Sequence, residues 1–266
     1  MYEKHWNLKE NPFENTPDTR FLYNSQQHEE GLNRLLYVVK EGKGAGLLTG
    51  VYGCGKTLLA RALMKELENS IYKVAILTNP RLDDIEMLRM IAYHLGATQP
   101  PVHKADILIT LEKIFQNNLN DGKKTVVVID EAHAIEDRNI FEEIRLLLNY
   151  QTDDKFLLTL LLLGQPELKE KIESNKQLNQ RIAMRFFLQA LDKKDTENYI
   201  KHRIITAGGN PAIFTEDAIA LVHERSGGIP RRINQLCDTS LLTGYGKGAK
   251  VVSAELVQET ISSLSL

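Results

Sequence analysis

The run Gly50-Val51-Tyr52-Gly53-Cys54-Gly55-Lys56-Thr57 has the spacing G-x-x-x-x-G-K-T. Glycines at these positions let successive backbone N–H groups curl around phosphate oxygens, and a helix opening at the lysine adds the positive end of its dipole. In such a cradle Lys56 meets the β- and γ-phosphates, and the Thr57 hydroxyl ligates Mg²⁺. The expected binding set is Gly50, Gly53, Cys54, Gly55, Lys56, Thr57 and Leu58. An ordinary glycine turn is the plainer reading, but it does not account for a strand pattern before the run and a helix pattern after it. For Cys54, redox sensing through a thiol lowered by the helix N-terminus stands beside a plain loop-filling role.

A second cluster lies downstream, where Val126-Val127-Val128-Ile129 runs into Asp130-Glu131. Two carboxylates at the C-terminal end of a buried strand sit where open α/β sheets bind their ligands. Asp130 is expected to hold Mg²⁺ and Glu131 to orient and polarise an attacking water. Capping of the next helix by the acidic pair is the alternative. The string continues as Ala132-His133, which invites a helicase reading. No Ser-Ala-Thr triplet and no arginine-rich Gln-x-x-Gly run accompany it, and the second α/β domain that such helicases need is not expected within these 266 residues. His133 has no second His or Cys at ligand spacing, so packing or support of its neighbours is expected rather than metal ligation.

These groups need elements to place them. Leu32, Leu35, Leu36 and Val39 recur at helical spacing behind Ser25, a plausible N-cap. Ala45 to Thr49 reads as a short buried strand, followed by the glycine run and a helix with Leu59, Leu63 and Leu67 on one face. Further strands are expected at Lys73 to Thr78, Thr125 to Ile129, Phe156 to Leu163 and Phe186 to Leu191, separated by amphipathic helices. Continuous Val/Ile/Leu strands alternating with such helices predict an α/β fold with a parallel sheet covered on both faces. Beyond Asp192 only helical patterns follow, predicting a small all-helical domain. Before Ser25, the stretch Asn7 to Asn24 reads as an irregular arm.

Composition narrows the class. The chain has 266 residues, 42% hydrophobic and 26% charged, with a formal net charge of -2. That excludes a wholly disordered chain and supplies no global positive field for nucleic acid or anionic lipid. Two cysteines, Cys54 and Cys237, are too few for a disulfide framework and suit a reducing compartment. The longest apolar run is far short of the roughly 20 residues of a membrane helix, and no secretory leader pattern opens the chain. A cytoplasmic protein is expected, with a peripheral place at the inner membrane through a partner left open.

Taken together with Asn11-Pro12-Phe13, Phe21-Leu22-Tyr23 with His28, Gly164-Gln165-Pro166-Glu167-Leu168, Gln180-Arg181-Ile182 and Gly228-Ile229-Pro230-Arg231, the order of motifs resembles the AAA+ ATPases. Within them it is similar to the general secretion pathway protein A family and its relatives in pilus biogenesis. The resemblance implies a P-loop NTPase fold: an α/β nucleotide-binding domain with its arm over 1–191, then a helical lid over 192–266. It implies Gln165 as the first sensor of the γ-phosphate or attacking water, and Arg231 as the second sensor. Arg181, with Arg185 as the other candidate, is implied as the arginine finger reaching a neighbour's nucleotide. Tyr23 is implied beside the adenine. Surface salt bridging stands as the alternative for the arginines, and arm anchoring for Tyr23.

The same resemblance implies Mg²⁺-dependent ATP hydrolysis, with ATP joining copies into an oligomer that serves secretion or pilus assembly through a separate protein partner. A DNA-binding AAA+ regulator of transposition target selection is the alternative. Nucleic acid is left open but not favoured, given the acidic net charge against local clusters at Arg231-Arg232 and Lys247 to Lys250.

Overall fold

The computed structural model describes residues 1–264. Five strands, all parallel, form one sheet in the order β2-β3-β4-β1-β5. In chain order the elements are α1 (Gln26–Lys40), β1 (Ala45–Gly50), α2 (Lys56–Glu66), β2 (Tyr72–Leu77), α3 (Asp84–His94), α4 (Lys104–Asn120), β3 (Lys124–Ile129) and α5 (Arg138–Leu147). Then come β4 (Leu158–Gly164), α6 (Glu167–Ser174), α7 (Lys176–Arg181) and β5 (Ile182–Leu188), followed by α8 (Lys193–Thr206), α9 (Glu216–Ser226), α10 (Pro230–Gly246) and α11 (Ala254–Leu264).

The inner strands are buried almost end to end, in keeping with the Val/Ile/Leu runs of β3 and β4 and the small and apolar residues of β1 in a sheet covered on both faces. One face packs Leu47, Leu77, Val127, Ile129, Leu160 and Leu162 against Met87, Ile91, Leu111, Phe115 and Ile144 of the helices between β2 and β4. On the other, a side chain added at Gly46 would meet Val38 of α1 at 3.4 Å. The edge strands differ: β5 alternates, with Ala183, Arg185 and Phe187 exposed. That alternation explains why β5 begins four residues before the expected Phe186 and ends at Leu188. An edge strand has no continuous apolar run to betray it. Arg185, expected ahead of the last strand, therefore lies within it, opposite Leu47 of β1.

The chain divides into two compact units, one of Glu29–Tyr52 with Leu59–Leu188, the other of Met1–His28, Gly53–Leu58 and Gln189–Leu266. The second unit has its own core, built by Tyr199, Ile200, Ile204, Val222, Ile233, Leu241 and Val257. Arm residues Tyr2, Trp6, Leu8, Phe13 and Phe21 are buried in that same core. Trp6 Nε1–H donates to the Leu241 carbonyl at 3.0 Å, and Arg203, only 4% exposed, donates to the Glu14 carbonyl at 2.9 Å while stacking on Phe21. The arm thus shares the core of the helices beyond Gln189, because its aromatic side chains find their apolar partners there.

Candidate functional site

A parallel sheet delivers every strand's C-terminal end to one edge, and β4 lies between β1 and β3. At this edge β1 releases Gly50, β3 releases Asp130-Glu131, and β4 releases Gln165. Sheet topology alone therefore groups the glycine run's start with the acidic pair and the candidate first sensor.

From Gly50 the backbone turns through Gly53 and Gly55, whose φ values of +84° and +99° are open only to glycine at low cost. Helix α2 starts at Lys56, itself 5% exposed. His28 supports the turn from below: its Nε2 lies 3.1 Å from the Cys54 carbonyl and its Nδ1 2.7 Å from Ser25 Oγ. Burial pushes the His28 pKa down, so the ring is neutral, with Nε2–H donating to the carbonyl and Nδ1 accepting from the serine. The Arg231 N–H donates to the Gly53 carbonyl at 3.2 Å, which sets the start of α10 against the turn. Cys54 is buried, and burial raises its thiol pKa against the weaker pull of Lys56. That direction is the one expected of a plain buried thiol and opposite to the lowering that redox sensing would use.

Asp130 is 4% exposed, and its Oδ1 accepts the Glu131 N–H at 2.9 Å. Glu131 takes a left-handed backbone, φ 53°, unusual for a residue with a side chain and typical of sites where geometry is imposed. The short turn Ala132–Ala134 then carries His133 back beside it, Nδ1 being 3.3 Å from Glu131 Oε2. The side-chain amide of Gln165 lies 2.9 Å from His133 Nε2. Sequence reading left His133 as a supporting residue without naming what it supports; the structure gives it two polar neighbours.

The remaining candidates are placed as follows. Arg181 ends α7, donates to the Leu148 carbonyl at 3.2 Å and to Asn149 Oδ1 at 3.0 Å, and stacks over Phe156. Arg185 is exposed and donates to Asn179 Oδ1 at 2.8 Å. The Tyr23 hydroxyl donates to Asp195 at 3.0 Å, and its ring meets Tyr199 edge-on. Leu58 and Thr57 fall in the first turn of α2, both half-buried. Among the described residues no group of three or more His, Cys, Asp or Glu side chains could hold a metal by itself.

A family model described as an AAA domain matches residues 39–172, half of the chain, and takes in the glycine run, Asp130-Glu131 and Gln165. The chain belongs to the AAA domain family. Among curated proteins, this AAA protein is 36% identical over 263 residues to the general secretion pathway protein A of Aeromonas hydrophila, covering 96% of this chain and 47% of that protein. It thus spans about half the length of that relative. Among solved structures it superposes on the Cdc6p of Pyrobaculum aerophilum with a TM-score of 0.72 at 14% identity, covering 92% of this chain and 70% of that one. The ORC2 protein of Aeropyrum pernix, solved in ADPNP and ADP complexes, gives 0.68 at 18% identity, covering 91% and 71%. At such identities these structures establish the fold: the AAA P-loop architecture of a parallel sheet flanked by helices with a helical C-terminal region. No helix among the described residues is long and apolar enough to cross a membrane.

Proposed function

We propose that this AAA protein binds ATP with Mg²⁺, hydrolyses it, and uses its nucleotide state to control association of its own copies in a secretion or pilus assembly system. One observation carries the reading. The strand ends bearing Gly50, Asp130-Glu131 and Gln165 open at a single edge of the sheet, with Lys56 starting the helix after the glycine run. Lys56 and the backbone N–H groups of 53–58 hold the triphosphate, and Glu131 orients the attacking water and takes up its proton. Gln165 senses the γ-phosphate, and Arg231, hydrogen-bonded through its N–H to Gly53, approaches the phosphates as second sensor.

A hydroxyl on Thr57 and a nearly buried carboxylate on Asp130 are hard oxygen donors, the chemistry that Mg²⁺ prefers to sulfur or imidazole. The donor set fits that ion, and when bound it neutralises charge on the phosphates. The similarity to a secretion pathway protein A supports the assembly role. Arg181 serves as the finger toward a neighbouring copy, with Arg185 the second choice.

Phosphate release and titration calorimetry test the proposal together. Lys56→Ala is expected to abolish ATP binding, and Glu131→Gln to bind ATP without turnover. Purified protein that gives no heat with millimolar ATP and Mg²⁺ overturns the reading. Turnover that rises steeply on adding DNA and collapses with salt favours the DNA-regulator alternative instead.

A further inference from the structure

His133 stands between two groups that the proposed hydrolysis uses, and an imidazole with one N–H cannot donate to both at once. Its Nδ1 lies 3.3 Å from Glu131 Oε2 and 3.3 Å from the Gln165 backbone N–H, while its Nε2 lies 2.9 Å from the Gln165 side-chain amide. A neutral imidazole carries a single N–H. With the proton on Nδ1, the ring donates to Glu131, Nε2 accepts from the Gln165 NH₂, and the Gln165 backbone N–H loses Nδ1 as its acceptor. With the proton on Nε2, the ring donates to the Gln165 C=O, Nδ1 accepts the Gln165 backbone N–H, and Glu131 loses its donor. Which face of the amide turns toward Nε2 therefore selects the tautomer.

The surroundings hold the ring in place while leaving this choice open. Lys171 Nζ donates to the carbonyls of His133 and Ile135, at 2.6 Å each, locking the turn that carries the imidazole. A side chain added at Gly164 would lie 3.1 Å from the His133 backbone nitrogen, so β4 and the turn are in close approach. The His133 side chain keeps 18% of its surface and Glu131 keeps 39%, which gives water access for the proton exchange.

We propose that His133 is a positioning residue that couples Gln165 to Glu131. An amide turned by the γ-phosphate changes the tautomer, and the tautomer either restrains the Glu131 carboxylate or releases it to the attacking water. The exchange conserves charge: Nδ1 gives one proton to water and Nε2 takes one from water. This rests on the hydrolytic reading above, and the test separates the two.

Steady-state turnover is compared for the wild type, Glu131→Gln, His133→Phe, His133→Asn, Gln165→Ala and the His133→Phe/Gln165→Ala pair, with nucleotide affinity measured by calorimetry. His133→Phe is expected to lower kcat by about tenfold or more, with ATP affinity unchanged within about twofold, and the pair to be no slower than the worse single variant. His133→Asn, which keeps a polar group near the Nδ1 position, recovers part of the loss. Near-wild-type kcat in His133→Phe, in a background where Glu131→Gln is dead, overturns the coupling and leaves the hydrolytic reading standing. Full turnover by Glu131→Gln overturns both. Imidazole ¹⁵N shifts of His133 supply a readout independent of turnover: they are expected to change tautomer between nucleotide-free protein and protein with Mg²⁺ and a non-hydrolysable ATP analogue. One unchanged tautomer in both, with calorimetry confirming that the analogue binds, overturns the switch.

Discussion

His28 holds the glycine turn through one hydrogen bond, from Nε2–H to the Cys54 carbonyl, and that bond exists only while the ring has an N–H on that side. His28→Ala leaves a buried carbonyl without its donor and is expected to cost about 1–3 kcal/mol of stability in denaturant titration, together with weaker ATP binding. The pH dependence follows from the same burial. Both His28 and His202 have folded pKa values below the ordinary 6.5, through desolvation first and, for His202, the neighbouring Arg203 as well. The unfolded chain then binds protons more readily, so this stability is complete above about pH 6.5 and is lost as pH falls from there through the lowered folded values. Unfolding midpoints measured across that range should drop on the acid side, less steeply in His28→Phe; a flat profile contradicts the assignment. What could be read from the sequence at this scale was whatever the chemistry forces into neighbouring positions: the cradle from Gly50 to Thr57, and the Asp130-Glu131 pair after its strand. The partners of His28 and His133 could not, since His28 meets Cys54 and His133 meets Gln165 across separations of 26 and 32 residues, which only the folded chain brings together.

Helices and strands announced themselves in proportion to how much of one periodicity each displays. Inner strands β3 and β4 did so through nearly continuous apolar runs; α3 is held at its start by Asp83 and Glu86, which form a capping box in which each side chain meets the other's backbone N–H. Edge strand β5 was misplaced because its exposed alternate residues resemble a loop. Helices α6 and α7 went unread because α6 buries only Leu168 and Ile172, and α7 is six residues long and buries only Leu178, too little to establish a period. Two substitutions check this ranking of local against tertiary terms. Asp83→Ala removes the cap of a helix remote in sequence from the cradle, and is expected to lower stability by about 1 kcal/mol with ATP affinity unchanged. Phe115→Ala empties a fully buried position between α4 and the sheet and is expected to cost about 3–5 kcal/mol by chemical denaturation. Equal losses in the two variants would mean that helix propensity rather than packing holds α3 and α4.

The finger role proposed for Arg181 requires a second copy's nucleotide, so on that proposal the whole molecule is expected to work as an assembly. In the single chain Arg181 is already committed to the Leu148 carbonyl, Asn149 and the face of Phe156. Reaching a neighbour's phosphate means exchanging two hydrogen bonds to neutral acceptors and a cation–π contact for contact with a developing negative charge, an exchange that a desolvated interface favours. A mixing experiment isolates that step. Arg181→Ala retains its own cradle and acids but offers no finger, whereas Lys56→Ala offers a finger but holds no ATP. Each alone is expected to hydrolyse little. Combined at equal concentration they should recover turnover that rises with total protein, since each Arg181→Ala site can then receive Arg181 from a Lys56→Ala neighbour. The same mixture made with Arg181→Ala/Lys56→Ala in place of Lys56→Ala should stay inactive. If both mixtures remain equally inactive while sedimentation shows that the copies associate with ATP, Arg181 does not act between chains, and the same experiment repeated with Arg185→Ala asks whether the neighbouring arginine takes that part.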